Sequence, residues 1–147
     1  MDVLFVCRNN TGRSQVAMEF FRRLASDKTA SGGTQVEFPD LLVGQRPGAK
    51  IIIQAMREYG IDMTGNKRVQ LTEKNIEGYD KIIVMAEPDN VPKWLSNLSI
   101  VEYWDVMDIK GQPIEIARQL RDQILGNVGI LVGYPDKDDL KRLLSKV

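Results

Sequence analysis

Two runs along this chain are apolar without alternation, and the rest of the pattern is arranged around them. Val3-Leu4-Phe5-Val6, behind Asp2, reads as a short strand buried on both faces of a parallel sheet. Tyr79-Asp80-Lys81-Ile82-Ile83-Val84-Met85 repeats the signature later. Behind the first run, Val16, Ala17, Phe20, Phe21 and Leu24 recur at helical spacing, so a helix opens at Arg13 and Ser14 after one tight loop. Ser31-Gly32-Gly33 marks a turn, and residues 34–38 alternate enough to predict a strand that Pro39-Asp40 stops. A loop is expected from Pro39 to Gly48. A helix is expected over 49–59, with Ile52, Ile53, Met56 and Tyr59 on one face and Gly60 closing it. A polar loop follows at 62–70, and a short helix fits 71–76 behind Thr72. Glu87-Pro88-Asp89-Asn90 reads as a turn, residues 91–95 as one helical turn around Trp94, and residues 100–104 as the last strand. The long helix at 114–128 carries Ala117, Leu120, Ile124 and Val128 as its stripe, and Gly133-Tyr134-Pro135 breaks it. A short, highly charged helix is expected at 136–146, with Leu140, Leu143 and Leu144 on its apolar side.

Strands alternating with helices predict a three-layer α/β fold with a mainly parallel sheet. The 147 residues fit one domain. Ligands of such sheets sit beyond the carboxyl ends of the strands, which puts Cys7 and the 104–108 turn on one rim. Composition narrows the chemistry further. Twenty basic and twenty acidic residues balance, so no global charge argues for nucleic acid or a membrane surface as partner. One cysteine excludes an internal disulfide, no apolar run approaches a membrane span, and the start lacks a basic signal-peptide region. The cytoplasm is the expected location. Histidine is absent, which removes Ser-His and Cys-His dyads and most transition-metal sites. Any proton donor has to be a carboxylate, a lysine or a tyrosine.

What remains is the loop Cys7-Arg8-Asn9-Asn10-Thr11-Gly12-Arg13-Ser14 between strand and helix. Asn9, Asn10 and Gly12 tolerate left-handed backbone, so loop N–H groups and a helix N-terminus can converge on one anion. A thiol and a guanidinium six residues apart then suggest a nucleophile and an oxyanion clamp. Thiolate is the attacking form, and lowering a free thiol from about 8.5 to about 6 takes roughly 3 kcal/mol. A helix terminus typically supplies about 0.3–1 kcal/mol, so loop amides, Arg13 and the Ser14 hydroxyl have to contribute the rest. Two other readings compete: a lone cysteine as a small core residue, and a degenerate nucleotide-binding loop. The second lacks the first glycine and the phosphate-reaching lysine.

The stretch VLFVCRNNTGRSQVAMEF resembles the opening of the low-molecular-weight protein tyrosine phosphatases and their arsenate reductase relatives, which share a Cys-x5-Arg-Ser loop. The resemblance runs on in order through Ser31-Gly32-Gly33-Thr34, Ala55 to Asp62, Leu71-Thr72, Tyr79 to Met85 and Trp104 to Asp108, nearly the whole chain. It implies a four-stranded parallel sheet in the order 2-1-3-4. It also implies hydrolysis of phosphotyrosine or a small aryl phosphate through a cysteinyl-phosphate, with no cofactor and no metal. Cys7 is then the nucleophile, Arg13 the clamp, and residues Arg8, Asn9, Asn10, Thr11, Gly12, Arg13 and Ser14 the phosphate cradle. The general acid falls at Asp108, with Asp105 the second choice and turn capping the bland reading of both.

The chain departs from that family at several places. Ile109 replaces the proline that usually follows the acid, the paired tyrosines beyond it are missing, and Arg8, Asn9 and Gly12 differ from common loop residues. Asn66 or Lys67 stands where many members carry histidine. The 104–108 stretch looks closer to the reductases, yet thioredoxin-coupled reductases relay electrons through two further cysteines, which are absent. A reductase here needs an external thiol; a phosphate-binding module without catalysis is the third reading. Phe38, Leu41 and Trp104 are candidate walls for an aromatic substrate, or core.

Overall fold

The computed structural model describes residues 1–134 and 136–145. Its centre is β1 (Val3–Cys7), every residue of which is buried. β1 pairs in parallel with β2 (Thr29–Gly33) on one side, Val3 opposite Thr29 and Cys7 opposite Gly33. On its other side lies β3 (Lys81–Val84), with Val6 opposite Val84, and β3 pairs with β4 (Val101–Tyr103). The sheet is four-stranded and parallel in the order β2-β1-β3-β4.

Side-chain alternation along the strands separates two cores. Val3, Phe5, Cys7 and Ile83 face the helical layer of α1 (Arg13–Leu24), α2 (Lys50–Arg57), α4 (Ile114–Val132) and α5 (Lys137–Ser145). Leu4, Val6, Ile82 and Val84 face a thinner layer of Leu71, Ile76 and Leu95, the last on the single-turn α3 (Lys93–Ser96). α4 lies across both α1 and α2, and α5 closes on α1 and α4. Gly133 ends α4 at φ 90°, a left-handed position that a side chain would strain.

The second strand is not where alternation put it. Residues 34–38 form an irregular segment, and β2 is Thr29–Gly33, which takes in the Ser31-Gly32-Gly33 stretch expected as a turn. Its signal is missing because small residues are required there. A Cβ on Gly32 would stand 2.3 Å from Leu71 Cδ2, and one on Gly33 would stand 2.7 Å from the Arg8 carbonyl oxygen. Residues 71–76 are turns rather than a helix, because Thr72 and Asn75 bond each other's backbone N–H groups and close the segment locally. The 39–48 loop holds two short 3-10 turns, Val43–Gln45 and Pro47–Ala49. The charged helix expected at 136–146 is observed as α5; Pro135 and Lys146 lie outside the described residues. Among the described residues no helix is long and apolar enough to cross a membrane.

Candidate active site

β1 delivers Cys7 to the carboxyl rim of the sheet, where the side chain is 3% exposed. The loop turns at once, with Asn10 at φ 51°. Asparagine occupies that left-handed position at modest cost and is fixed there by its amide. Asn10 Nδ2 donates to Ser14 Oγ at 2.8 Å and to Ser31 Oγ at 2.9 Å, while Oδ1 accepts from Val69 N at 2.9 Å. Ser14 Oγ in turn lies 3.0 Å from Cys7 Sγ. With both Asn10 amide protons directed outward, the Ser14 oxygen accepts from Asn10 and keeps its own proton for the sulfur. That hydroxyl is therefore set to stabilise a thiolate. Gly12 precedes α1 with no side-chain cap, and no acidic residue stands in the first turn, so no side chain of the helix's own first turn competes for its N-terminus.

Arg13 is buried and anchored by one arm. Its Nη1 donates to the carbonyl oxygens of Met85 at 2.5 Å and Val106 at 3.0 Å, and to Glu87 Oε1 at 2.9 Å. Nε and Nη2 have no partner among the described residues. One edge of the guanidinium is thus fixed to the ends of β3 and the 104–108 turn, and the other edge is available for bidentate contact with an oxyanion. Burial opposes the charge on Glu87, but its own N–H, Arg13 and Asn90 outweigh it, and its carboxyl lies below the usual range.

A pocket of about 270 Å³ opens over Cys7. Cys7, Arg8, Asn9, Thr11, Gly12 and Arg13 of the loop line it, together with the charged side chains of Glu37, Arg46, Asp108 and Lys110. Asn10 and Ser14 stand behind the loop rather than in the lining. Pro47, Ile52, Ile109 and Leu120 make the apolar wall. Phe38, Leu41 and Trp104 do not line it. Phe38 is 66% exposed, and Trp104 packs against the Phe5 ring at 5.9 Å.

The two aspartates separate cleanly. Asp108 borders the pocket, its Oδ1 accepting from Lys110 N at 3.1 Å. Asp105 does not border it, and its carbonyl is held by Gln123 Nε2 at 2.9 Å. Ile109, standing where proline was expected, is buried against the helical core and holds the 108–110 turn by packing instead of by ring rigidity. Asn66 Nδ2 donates to Gln15 and Glu19, and Gln15 Nε2 reaches the carbonyls of Asn10 and Lys67, so this region braces the loop from behind. Sequence reasoning missed Glu87, Glu37, Arg46 and Arg68, which reach the site only through the fold and share no local motif with it.

Residues 2–98 match the family model of low molecular weight phosphotyrosine protein phosphatases. A glutaredoxin arsenate reductase from Synechocystis sp. is 31% identical over 88% of this chain and 95% of its own. The low molecular weight phosphotyrosine protein phosphatase of Sus scrofa is 33% identical over 58% of this chain and 54% of its own. Among solved structures, a YwlE arginine phosphatase mutant with a phosphorylated active site serine superposes with a TM-score of 0.75 at 25% identity, covering 97% of this chain and 99% of that one. An arsenate reductase in the phosphate binding state gives 0.73 at 30%, covering 92% and 98%. The chain belongs to the low molecular weight phosphotyrosine protein phosphatase family.

Proposed function

We propose that this protein hydrolyses phosphomonoesters through a cysteinyl-phosphate, with Cys7 as nucleophile, Arg13 as oxyanion clamp and Asp108 as general acid and base. One observation carries the assignment: a single pocket is bordered by Cys7, Arg13 and Asp108, with Glu37 as the second carboxylate of its lining. In the first step Cys7 Sγ bonds to phosphorus while the ester P–O bond breaks, and Asp108 gives its proton to the departing oxygen. In the second step water attacks phosphorus, Asp108 takes the water's proton, and the S–P bond breaks to release inorganic phosphate. Ser14 then stabilises the returning thiolate. Arg13 and the amides of residues 8–14 hold the equatorial oxygens as charge builds. The substrate is a phosphorylated side chain or a small phosphoester. An aryl group is not demanded, because the wall beside Asp108 is aliphatic.

A second reading has a specific support, the 31% identity to an arsenate reductase over 88% of this chain. With one cysteine in the sequence, that chemistry needs an external thiol to resolve the Cys7 adduct. Side-by-side assays decide between the two. Hydrolysis of p-nitrophenyl phosphate, abolished in Cys7→Ser, supports the phosphatase. Thiol-dependent arsenate reduction with no phosphoester turnover would replace it.

A further inference from the structure

Three arginines are buried among the described residues, and two of them meet carboxylates: Arg13 meets Glu87, and Arg121 meets Glu58 and Asp122. Arg68, 4% exposed, has no carboxylate at ion-pair distance among the described residues. Its guanidinium is spent on neutral oxygens. Nε donates to Thr11 Oγ1 at 3.0 Å, and Nη1 to the carbonyls of Phe38 and Leu41 at 3.0 and 3.4 Å. Nη2 donates to Asn9 O at 2.9 Å and Asn9 Oδ1 at 2.6 Å. A buried ion that lacks a counter-ion is costly, and a guanidinium cannot escape by losing its proton near neutral pH. Burial does pull Arg68 below its ordinary value, with Arg46 adding to the effect, while Cys7 and Glu37 act in the opposite sense.

The acceptors say where this charge is used. Asn9 and Thr11 belong to the pocket lining, and the 38–41 segment directly follows Glu37, another lining residue. Phe38 holds a left-handed backbone, φ 50°, with its carbonyl shared by Arg68 and Leu41 N. That conformation is unfavourable for an aromatic residue and persists only when its surroundings over-determine it. Beside Arg68, the Val69 N–H fixes Asn10. One short segment therefore braces three consecutive loop residues.

We propose that Arg68 is a positioning residue of the anion cradle. It fastens residues 9–11 to the 38–41 segment and adds, behind the loop, a buried positive charge with no carboxylate partner to those of Arg8, Arg13 and Arg46 in the pocket lining. The inference rests on the phosphatase reading of the Cys7 pocket, and the bound anion supplies the counter-charge that Arg68 otherwise lacks.

Arg68→Met removes charge and fork together; Arg68→Lys keeps the charge without the fork. The probe is inorganic phosphate, read as protection of Cys7 from iodoacetate and as competitive inhibition of p-nitrophenyl phosphate hydrolysis. Arg68→Met should bind phosphate about tenfold more weakly, the effect of one charge acting through screened protein. Arg68→Lys should recover most of that affinity yet keep a lowered kcat, because the fork is gone. Phosphate binding of wild-type strength in Arg68→Met would overturn the proposal, and so would a lysine variant as weak as the methionine one, which would leave only scaffolding. Should Arg68→Met not fold, Arg68→Lys alone decides: near-normal phosphate affinity with reduced kcat supports the proposal, and a tenfold loss ends it. A wild-type chain that neither binds phosphate nor turns over the ester would overturn the phosphatase reading itself, which the first measurement reveals.

Discussion

Asp105 and Asp108 occupy one turn, yet only Asp108 borders the pocket. An acid that protonates the leaving oxygen matters most when that oxygen is basic. Asp108→Asn should lower kcat for phenyl phosphate by about 10²–10⁴-fold and act far less on p-nitrophenyl phosphate. Asp105→Asn should show no such leaving-group dependence, and an exchange of the two behaviours would move the role. Arg13 invites a second test, because its Nη1 already serves Met85, Val106 and Glu87. Lysine cannot hold those groups and clamp an oxyanion together, so Arg13→Lys should cost about 10²–10³ in kcat. Turnover within a few-fold of wild type would refute the clamp. The loop from Cys7 to Ser14 was legible in the sequence because eight consecutive residues carry the spacing and the backbone-tolerant types. Glu87 and Arg68 were not, since a lone glutamate and a lone arginine look like any other surface charge until the fold sets Glu87 on Arg13 and buries Arg68 behind the loop.

Among the elements, the strands with continuous apolar runs were readable and β2 was not. Its sequence, Thr-Ala-Ser-Gly-Gly, is chosen for what has to be absent. Gly33→Ala would set a Cβ 2.7 Å from the Arg8 carbonyl and 3.0 Å from Asn10 N, both cradle backbone. It should weaken protection of Cys7 by phosphate more than it lowers the melting temperature; an unaltered phosphate affinity would show that the cradle yields freely. The α2–α4 contact carries a pH dependence of its own. Hydrogen bonds from Arg118 and Arg121 hold Glu58 at about 2, against an ordinary 4.5. A depressed carboxyl stabilises the fold above its unfolded value and loses that contribution as pH falls through the folded one. The melting temperature of wild type should therefore converge on that of Glu58→Gln between about pH 4.5 and 2. Parallel curves over that range would mean that the ion pairs add nothing.

Across the whole molecule, alternation of strand and helix revealed a parallel α/β sheet, but not its order. Register in such a sheet depends on which apolar faces meet, and nothing in a buried, non-alternating strand records its neighbour. The family resemblance carried that information, and the observed β2-β1-β3-β4 order agrees with it. Phe5 shows how the layers are joined: fully buried on β1, it meets the Phe21 ring of α1 edge-on at 5.7 Å and Trp104 beyond β4 at 5.9 Å. Phe5→Ala should cost about 3–5 kcal/mol in urea unfolding; a loss under 1 kcal/mol would mean the site collapses around the gap. The reach of Arg13 has a consequence in time. Two acceptors on its Nη1 lie 72 and 93 residues further along the chain. During synthesis the Cys-x5-Arg-Ser segment leaves the ribosome long before Met85 and Val106 do, so a growing chain carries the signature without its geometry. Contacts this distant in sequence close late in folding. Under the proposed mechanism, Cys7 acquires its Arg13 clamp only when the chain past β4 docks, and a nascent polypeptide displaying the bare thiol is not yet competent for that chemistry.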